Sequence, residues 1–506
     1  MVQSVSMAAS IGVSATKSPR SSGAAADPPV PAWLFPALFA GAILAYWMSR
    51  ISRGFWIDEA TAYWIDQGGL AKAWSKLETF PFGQSLLYQY VVSPFLSDGT
   101  HKEALLRVPS VAGVLLAAWL LYKLTERIAG PGSGWLAVVP FACTGAIVET
   151  ATNARPYALG LAVILASFWS LREWVHTGKR SWLALYCASS ALVVYFHYLF
   201  VLIFLVQTVY LIAAHSSGRL FSWARILAVA FAIVVAAVPL AKQMLTLVGQ
   251  ADKWTSAVRP TAGTFLSLFP WQVAITVTIG LFLCFVLHRD WFANVFALAG
   301  DDLILLVAWV LLGPLVMFVA QRTTSLAVFT TRYLIYVFPP CFILLAWCIR
   351  QMRNRRAQFA LALAVVLNAA LYVRDVGANT PEWRTPLRVA QRIAGGGTPI
   401  LLRSPHADAV GFDWKTEPNP AHHYFAQLGP YPVRNEIIPV PFFVDAAAER
   451  YLEHEIERRM PAQRRFCLIA NKGSDVLATL PAWFRTHGFA VDTRDCAGIE
   501  VLSFQR

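Results

Sequence analysis

Charge is what this chain has little of. Only 14% of its 506 residues are Asp, Glu, Lys or Arg, while 57% are hydrophobic. That balance excludes an ordinary soluble protein of this length. The charge present favours one sign, with a net +13, yet no zinc-finger spacing, helix-turn-helix pattern or RNA-binding signature accompanies it. Much of the positive charge sits in short segments between apolar runs, where it sets membrane orientation. Nucleic acid is therefore not an expected partner. A short, early apolar segment of the cleavable kind is missing too. Residues 1–31 are Ser/Ala-rich, hold few large apolar side chains and end in ADPPVPAW. They read as a disordered cytoplasmic arm, and the first apolar run after them as an uncleaved anchor.

Cysteine is sparse. Of the seven, Cys143, Cys187, Cys284, Cys341 and Cys348 fall in apolar runs and read as small core residues. Cys341 and Cys348 share a helical face, but no His or acid joins them, which argues against a metal site. Cys467 and Cys496 lie in a polar tail. If that tail is extracytoplasmic, a disulfide between them and two free thiols are both open. Gly395–Gly397 follows a helical pattern and precedes a strand, the reverse of the phosphate-cradle order, so it reads as a helix stop. His422 and His423 read as a solvated surface pair rather than metal ligands.

What the chain has in abundance is apolar runs of bilayer length. They begin at Trp33–Met48 and continue at Val108–Leu124, Gly134–Thr150, Pro156–Leu171, Trp182–Phe196, Tyr198–Ala214, Ile226–Ala241, Phe265–Leu287, Leu303–Ala320, Tyr333–Ile349 and Phe359–Val373. The expected fold is a polytopic α-helical membrane protein with about eleven transmembrane helices. With the N-terminus in the cytoplasm, basic residues such as Lys123, Arg127, Arg172, Lys179, Arg180 and Arg350–Arg356 fall on cytoplasmic loops. The membrane domain then covers 32–373, with a large first extracytoplasmic loop at 49–106. Within that loop, Pro81–Phe95 reads as surface-lying, re-entrant, or a span broken by prolines. Residues 374–506 alternate helix and strand and form a small extracytoplasmic α/β domain.

Under this topology the outer membrane face collects four polar clusters. Asp58 and Glu59 stand in GFWIDEATAYW. Glu149, Asn153, Arg155 and Tyr157 stand in ETATNARPYAL. His197 and Tyr198 mark the turn of a long apolar hairpin. Gln321, Arg322, Arg332 and Tyr333 flank another break. Any one cluster is as readily a set of snorkelling helix ends as a site. Ionisable residues at membrane depth usually mark a site or pathway, and four at one face strengthen that reading. Acids and cations together suit sugar transfer from a lipid phosphate. Arginines stabilise the leaving phosphate, and a carboxylate takes the acceptor's proton. Trp56, Tyr63 and Trp64 can stack on sugar faces or serve as interface anchors.

GFWIDEATAYW, PFGQSLLYQY, LLRVPSVAGVLLA, ARPYAL, YFHYLFVLI, TRYLIYVFPP and PEWRTPLRVAQRI occur in this order. That series resembles the polyprenyl-phosphate-sugar-dependent glycosyltransferases of family 39, with the C-type membrane fold. The group includes protein mannosyltransferases and aminoarabinose transferases of lipid A. The resemblance covers about residues 32–400. It implies that Asp58 matches the first-loop catalytic acid, that Arg155 and Arg332 face the donor phosphate, and that His197 and Tyr198 line the cavity. Related sequences often carry an acid where this chain has Asn153, and Glu149 can substitute for it. The resemblance also favours arginines over a metal. A divalent cation held by Asp58, Glu59 and Glu149 stays possible but not favoured.

The expected function is transfer of a sugar, with inversion, from a polyprenyl-phosphate donor to an envelope lipid, glycan or protein at the extracytoplasmic face. Asp58 and Glu59 are the expected catalytic residues, Asp58 as general base and Glu59 as its support or a metal ligand, and Arg155 and Arg332 are the expected phosphate binders. Glu149, Asn153, Tyr157, His197, Tyr198 and Tyr333 line the cavity. The expected location is a bacterial inner membrane. The rival reading, a multi-span transporter or flippase, calls for inverted repeats, and none is visible.

Overall fold

The computed structural model describes residues 34–79, 86–218, 222–249, 259–292, 298–324, 327–373, 381–403, 425–442, 444–460 and 462–506. The expected disordered arm, residues 1–31, lies outside the described residues, as do His422 and His423.

Apolar side chains dominate the first two thirds of the chain, and helices follow from them. In order these are α1 (Leu34–Arg50), α2 (Ile57–Asp66), α3 (Leu70–Thr79), α4 (Leu86–Val92), α5 (Lys102–Ile128), α6 (Gly134–Cys143), α7 (Gly145–Ala151), α8 (Tyr157–Thr177) and α9 (Arg180–Phe196). They continue with α10 (Ile203–Ser216), α11 (Trp223–Ala237), α12 (Ala241–Gly249), α13 (Ala262–Ser267), α14 (Trp271–Leu287), α15 (Gly300–Thr323), α16 (Phe338–Arg350) and α17 (Arg355–Val373).

Large apolar side chains point outward all along them, among them Leu115, Trp119, Leu227, Phe231, Ile279, Phe282, Leu311 and Leu367. Water would not tolerate such a surface; hydrocarbon does. The protein is a multi-pass membrane protein.

Every expected apolar run falls largely on helix, but the runs are less regular than a count of about eleven implies. Among the described residues, five helical stretches are long and apolar enough to cross a bilayer by themselves: Lys102–Ile128, Tyr157–Thr177, Tyr198–Ser216, Trp223–Thr246 and Gly300–Thr323. The α6–α7 pair would make a sixth, bent by 75° at Thr144. The run expected at Phe265–Leu287 is interrupted ahead of α14, where Pro270 precedes the helix. Proline supplies no N–H donor and restricts the residue before it, so helices begin after it.

α8 organises the bundle, packing against α5 on one side and α9 on the other. Gly113 of α5 allows a close approach: a Cβ there would lie 2.9 Å from the backbone carbon of Ala158 in α8. Small residues let membrane helices approach backbone to backbone. Along its 21 residues α8 rises about 30 Å, the depth of a hydrocarbon core.

Its far end carries a second polar cluster. Arg172 makes a two-pronged bond to Asp302 at the start of α15, with Nε to Oδ1 at 2.9 Å and Nη2 to Oδ2 at 2.8 Å. Glu173 adds Arg127 at 3.3 Å. Tyr157, at the first turn of α8, thus lies about 22 Å along the helix from Arg172, so the two polar clusters sit toward opposite ends of the bundle.

The described residues beyond α17 fold around a five-stranded sheet in the order β2-β1-β3-β5-β4, where β1 is Ile400–Arg403, β2 Ile437–Val440, β3 Arg465–Asn471, β4 Ala490–Cys496 and β5 Ile499–Gln505. β1 runs parallel to β2 and β3, and β5 runs antiparallel to β3 and β4. One face packs on α18 (Arg384–Ala394) and joins a single apolar core with Phe55, Tyr63 and Tyr88 of the first loop. The other face packs on helices Ala446–Arg459 and Asp475–Thr486. A disulfide between Cys467 and Cys496 is not formed; both are free. β5 lies between their strands, and the two cysteines stand opposite β5 residues four apart, Ser503 and Ile499, which separates them by about 16 Å, too far for a bridge.

Candidate active site

α2 starts where Trp56 breaks from extended backbone, with Asp58 and Glu59 in the first helical turn. Acids are favoured there by the helix dipole. The two adjacent carboxylates then have opposite surroundings.

Glu59 is fully buried. Its Oε1 accepts from Arg107 Nε at 2.7 Å and from Ala154 N at 2.6 Å. Its Oε2 accepts from Arg107 Nη2 at 2.5 Å and from Trp56 N at 3.3 Å. Arg107 donates further to the carbonyls of Ile51, Arg53 and Gly54. This network ties α2, α5 and the turn before α8 into one unit. It leaves Glu59 no oxygen for a metal or a substrate, so of the two roles expected from the sequence the geometry suits support of Asp58 and not a metal ligand. Arg107 lies within the LLRVPS motif, but nothing in the sequence assigns it a role. The visible signal is an arginine at the mouth of an apolar run, which needs a buried partner.

Asp58 is one quarter exposed and faces the other way. Arg332 Nη1 lies 2.9 Å from its Oδ2. Arg155 Nη2 lies 3.7 Å from the same oxygen, and Arg155 Nη1 donates to the Asp58 carbonyl at 3.1 Å. Arg155 is buried, while the Arg332 side chain is 41% exposed. Burial alone would lower the pKa of each guanidinium. For Arg332 the Asp58 carboxylate outweighs that and raises it; for Arg155 the adjacent Tyr157 hydroxyl and Asp58 do so. Both arginines remain cations.

Rings wall the site. Arg332 lies over Tyr333 at 5.1 Å and over Trp56 at 5.7 Å, and Arg155 lies 5.7 Å from Tyr157. Tyr157, His197 and Tyr333 form a triangle, with centroids 5.4 Å (Tyr157–His197), 5.0 Å (His197–Tyr333) and 6.0 Å (Tyr157–Tyr333) apart. His197 sits in the turn after α9, where its Nδ1 accepts from Leu199 N at 3.3 Å. Burial first, then Arg155 and Arg332, push its pKa down to about 3, so the ring is neutral. Two arginines against one carboxylate therefore leave the site one positive charge in surplus.

The structure thus brings together Asp58, Arg155, Arg332, Tyr157, His197 and Tyr333 from four separate stretches of sequence. Three other expected residues lie elsewhere. Asn153 accepts from Arg53 Nη2 at 2.9 Å. Glu149 is exposed and acts electrostatically on Arg53. Tyr198 turns its hydroxyl to Gln243 and packs with Val194 and Leu240. Neighbouring Arg322 donates to Pro260 O at 3.1 Å, and Gln321 accepts from Phe329 N. Among the described residues no three His, Cys, Asp or Glu side chains gather as a metal site. A cavity of ≈ 190 Å³ opens between the α6–α7 and α13–α14 breaks and reaches Thr331, next to Arg332.

Residues 84–241 match the family model described as dolichyl-phosphate-mannose-protein mannosyltransferase. No curated protein matches the chain in sequence. ArnT from Cupriavidus metallidurans bound to undecaprenyl phosphate has a similar structure. Its TM-score is 0.57 at 12% identity, over 93% of this chain and 98% of that one. The apo state of the same protein gives 0.54 at 13% identity, over 93% and 97%. The resemblance to family 39 and the C-type fold seen in the sequence motifs is borne out.

Proposed function

With a membrane glycosyltransferase of the family 39 kind as the premise, we propose that this chain moves a sugar from a polyprenyl-phosphate donor to an envelope acceptor at the extracytoplasmic face. One observation carries the reading: an accessible carboxylate shared by two arginines, with one cation in surplus. A phosphate brings the charge that surplus lacks. The similar solved structure holds undecaprenyl phosphate, which supports a lipid phosphate as the group bound.

In the proposed reaction Arg332, the more exposed arginine, passes from Asp58 to the donor phosphate, and Arg155 follows from behind. Asp58 is released to take the proton of the acceptor hydroxyl as that oxygen attacks the anomeric carbon. The bond from the anomeric carbon to the phosphate oxygen breaks, and the lipid phosphate leaves with its new charge on the arginines. One displacement inverts the anomeric configuration. Tyr157, His197 and Tyr333 supply ring faces to the sugar. No step requires a metal, and unchanged transfer in EDTA is the matching expectation.

The test is direct. Purified full-length protein in lipid vesicles, given radiolabelled polyprenyl-phosphate sugars, should release lipid phosphate and label an envelope acceptor fraction. Mass spectrometry of envelope glycans with and without the protein then identifies the sugar. Movement of labelled lipid across the vesicle bilayer without any transfer would favour the flippase reading.

A further inference from the structure

The sheet domain reaches back to α2, the helix that carries Asp58, and holds it at both ends. Ahead of α2, Phe55 N donates to Tyr431 Oη at 2.7 Å. Beyond it, Gln67 Nε2 donates to Gly429 O at 3.2 Å. Between these two bonds lie all ten residues of α2, about 15 Å of helix. The residue between the two anchors on the other side, Pro430, accepts from Lys102 Nζ at the start of α5. One three-residue turn thus brackets the helix end to end and ties it to the first membrane crossing after the loop.

Tyr431 is the centre of this arrangement. It is buried, and its hydroxyl donates to Glu103 Oε1 at 2.9 Å while accepting from Phe55 N. Arg384 of α18 holds the same Glu103 oxygen at 3.2 Å. The Tyr431 ring packs 6.1 Å from Phe55, which packs 5.6 Å from Tyr63. Trp383 N closes the set by donating to Phe55 O at 3.0 Å. Phe55 is therefore held through its amide, its carbonyl and its ring by the residues beyond α17, three positions before Asp58.

We propose that the Gly429–Pro430–Tyr431 turn is a positioning element for Asp58, which makes the sheet domain part of the catalytic unit. The inference rests on the transferase reading for its kinetic consequence. Reaction geometry tolerates little displacement: about 1 Å of error can cost 10²-fold in rate. The buried Glu59–Arg107 pair fixes the inner side of α2. The turn adds what that pair lacks, a hold on Phe55 ahead of the helix and on Gln67 beyond it. Tyr431 touches no reacting atom and acts only through Phe55 and Glu103.

The test uses the full-length protein in vesicles and two readouts. Tyr431→Phe keeps the ring on Phe55 and removes both hydroxyl bonds. Its kcat should fall about tenfold with KM for the donor within about twofold, since positioning is lost but phosphate binding is not. Hydrogen–deuterium exchange of residues 57–66 should rise in the same variant, while exchange in α8 should not. Gln67→Met, which cuts the far anchor, should move both readouts in the same direction and serves if Tyr431→Phe does not fold. Lys472→Ala, in an exposed pair with Asp495 in the same domain, should change neither. Wild-type exchange across 57–66 in both anchor variants would overturn the proposal, as would a slower kcat with unchanged exchange. If the unaltered protein transfers no sugar, the transferase reading fails, and the exchange data still decide whether the turn holds α2.

Discussion

Arg107 and Glu59 bind each other with no exposed surface on either side chain, Nη2 to Oε2 at 2.5 Å. One acid of an adjacent pair is thereby consumed by the scaffold and its neighbour is set free. Removing one partner of such a pair leaves a buried charge uncompensated, at about 3–5 kcal/mol. Arg107→Met should therefore lower the thermal unfolding midpoint in detergent sharply. Arg107→Met with Glu59→Met should recover a large part of that loss. Equal midpoints for the single and double variants would show that the pair does not behave as one unit.

Arg332 is the exposed cation of the site, and its removal should be felt in the transition state. Arg332→Ala should lower kcat by about 10²–10³-fold, the range for losing one charge-stabilising donor. Arg332→Lys should restore part of that, because a point charge replaces the two-pronged fork. Steady-state transfer rates at saturating donor give the comparison.

Asp66 at the end of α2 is a separate test of the loop's electrostatics. Its carboxylate is buried with no hydrogen bond on either oxygen. Burial raises its pKa to about 7, against a smaller lowering by Lys76. A raised folded-state pKa gives stability that is complete below the unfolded value, about 4, and lost as pH rises through about 7. Asp66→Asn should accordingly stabilise the protein at about pH 8, by about 1–3 kcal/mol, and have little effect at about pH 4. Melting curves of both proteins across that range supply the check.

His197 is held neutral by burial and by two nearby arginines. It should not act as an acid or base near neutrality. His197→Phe, which keeps a ring between Tyr157 and Tyr333, should leave the shape of the kcat/KM profile between about pH 5 and 8 unchanged. Loss of an ascending limb in that window would assign the histidine a proton-transfer role.

Much of this architecture is legible in the sequence because it follows from periodicity and charge. Apolar runs mark the helices, and the tail's helix at Ala446–Arg459 begins after an Asp445 cap that bonds Ala447 N and Ala448 N. β4 is missed because it is an edge strand of mostly exposed polar residues, VDTRDC, with no apolar alternation to read. The convergence of Asp58, Arg155 and Arg332 follows from the expected topology, which sets each of them at one end of the spans. What topology does not fix is which way a side chain turns. Asp58 and Glu59 are neighbours in the chain, but a helix sends them about 100° apart, one to the site and one to Arg107. Tyr198 fails for the same reason, one residue from His197 yet packed on Leu240. The Gly-Pro pair at Gly429–Pro430 signals a turn, but not its role, which lies entirely in what the turn touches.

The measurement that bears most directly on the whole account is sugar transfer by Asp58→Asn, made in vesicles beside the unaltered protein, with donor binding measured in parallel. The account predicts that transfer falls by at least about 10³-fold while the variant folds and still binds the lipid phosphate through Arg155 and Arg332. Transfer at the unaltered rate by a folded Asp58→Asn protein would contradict it.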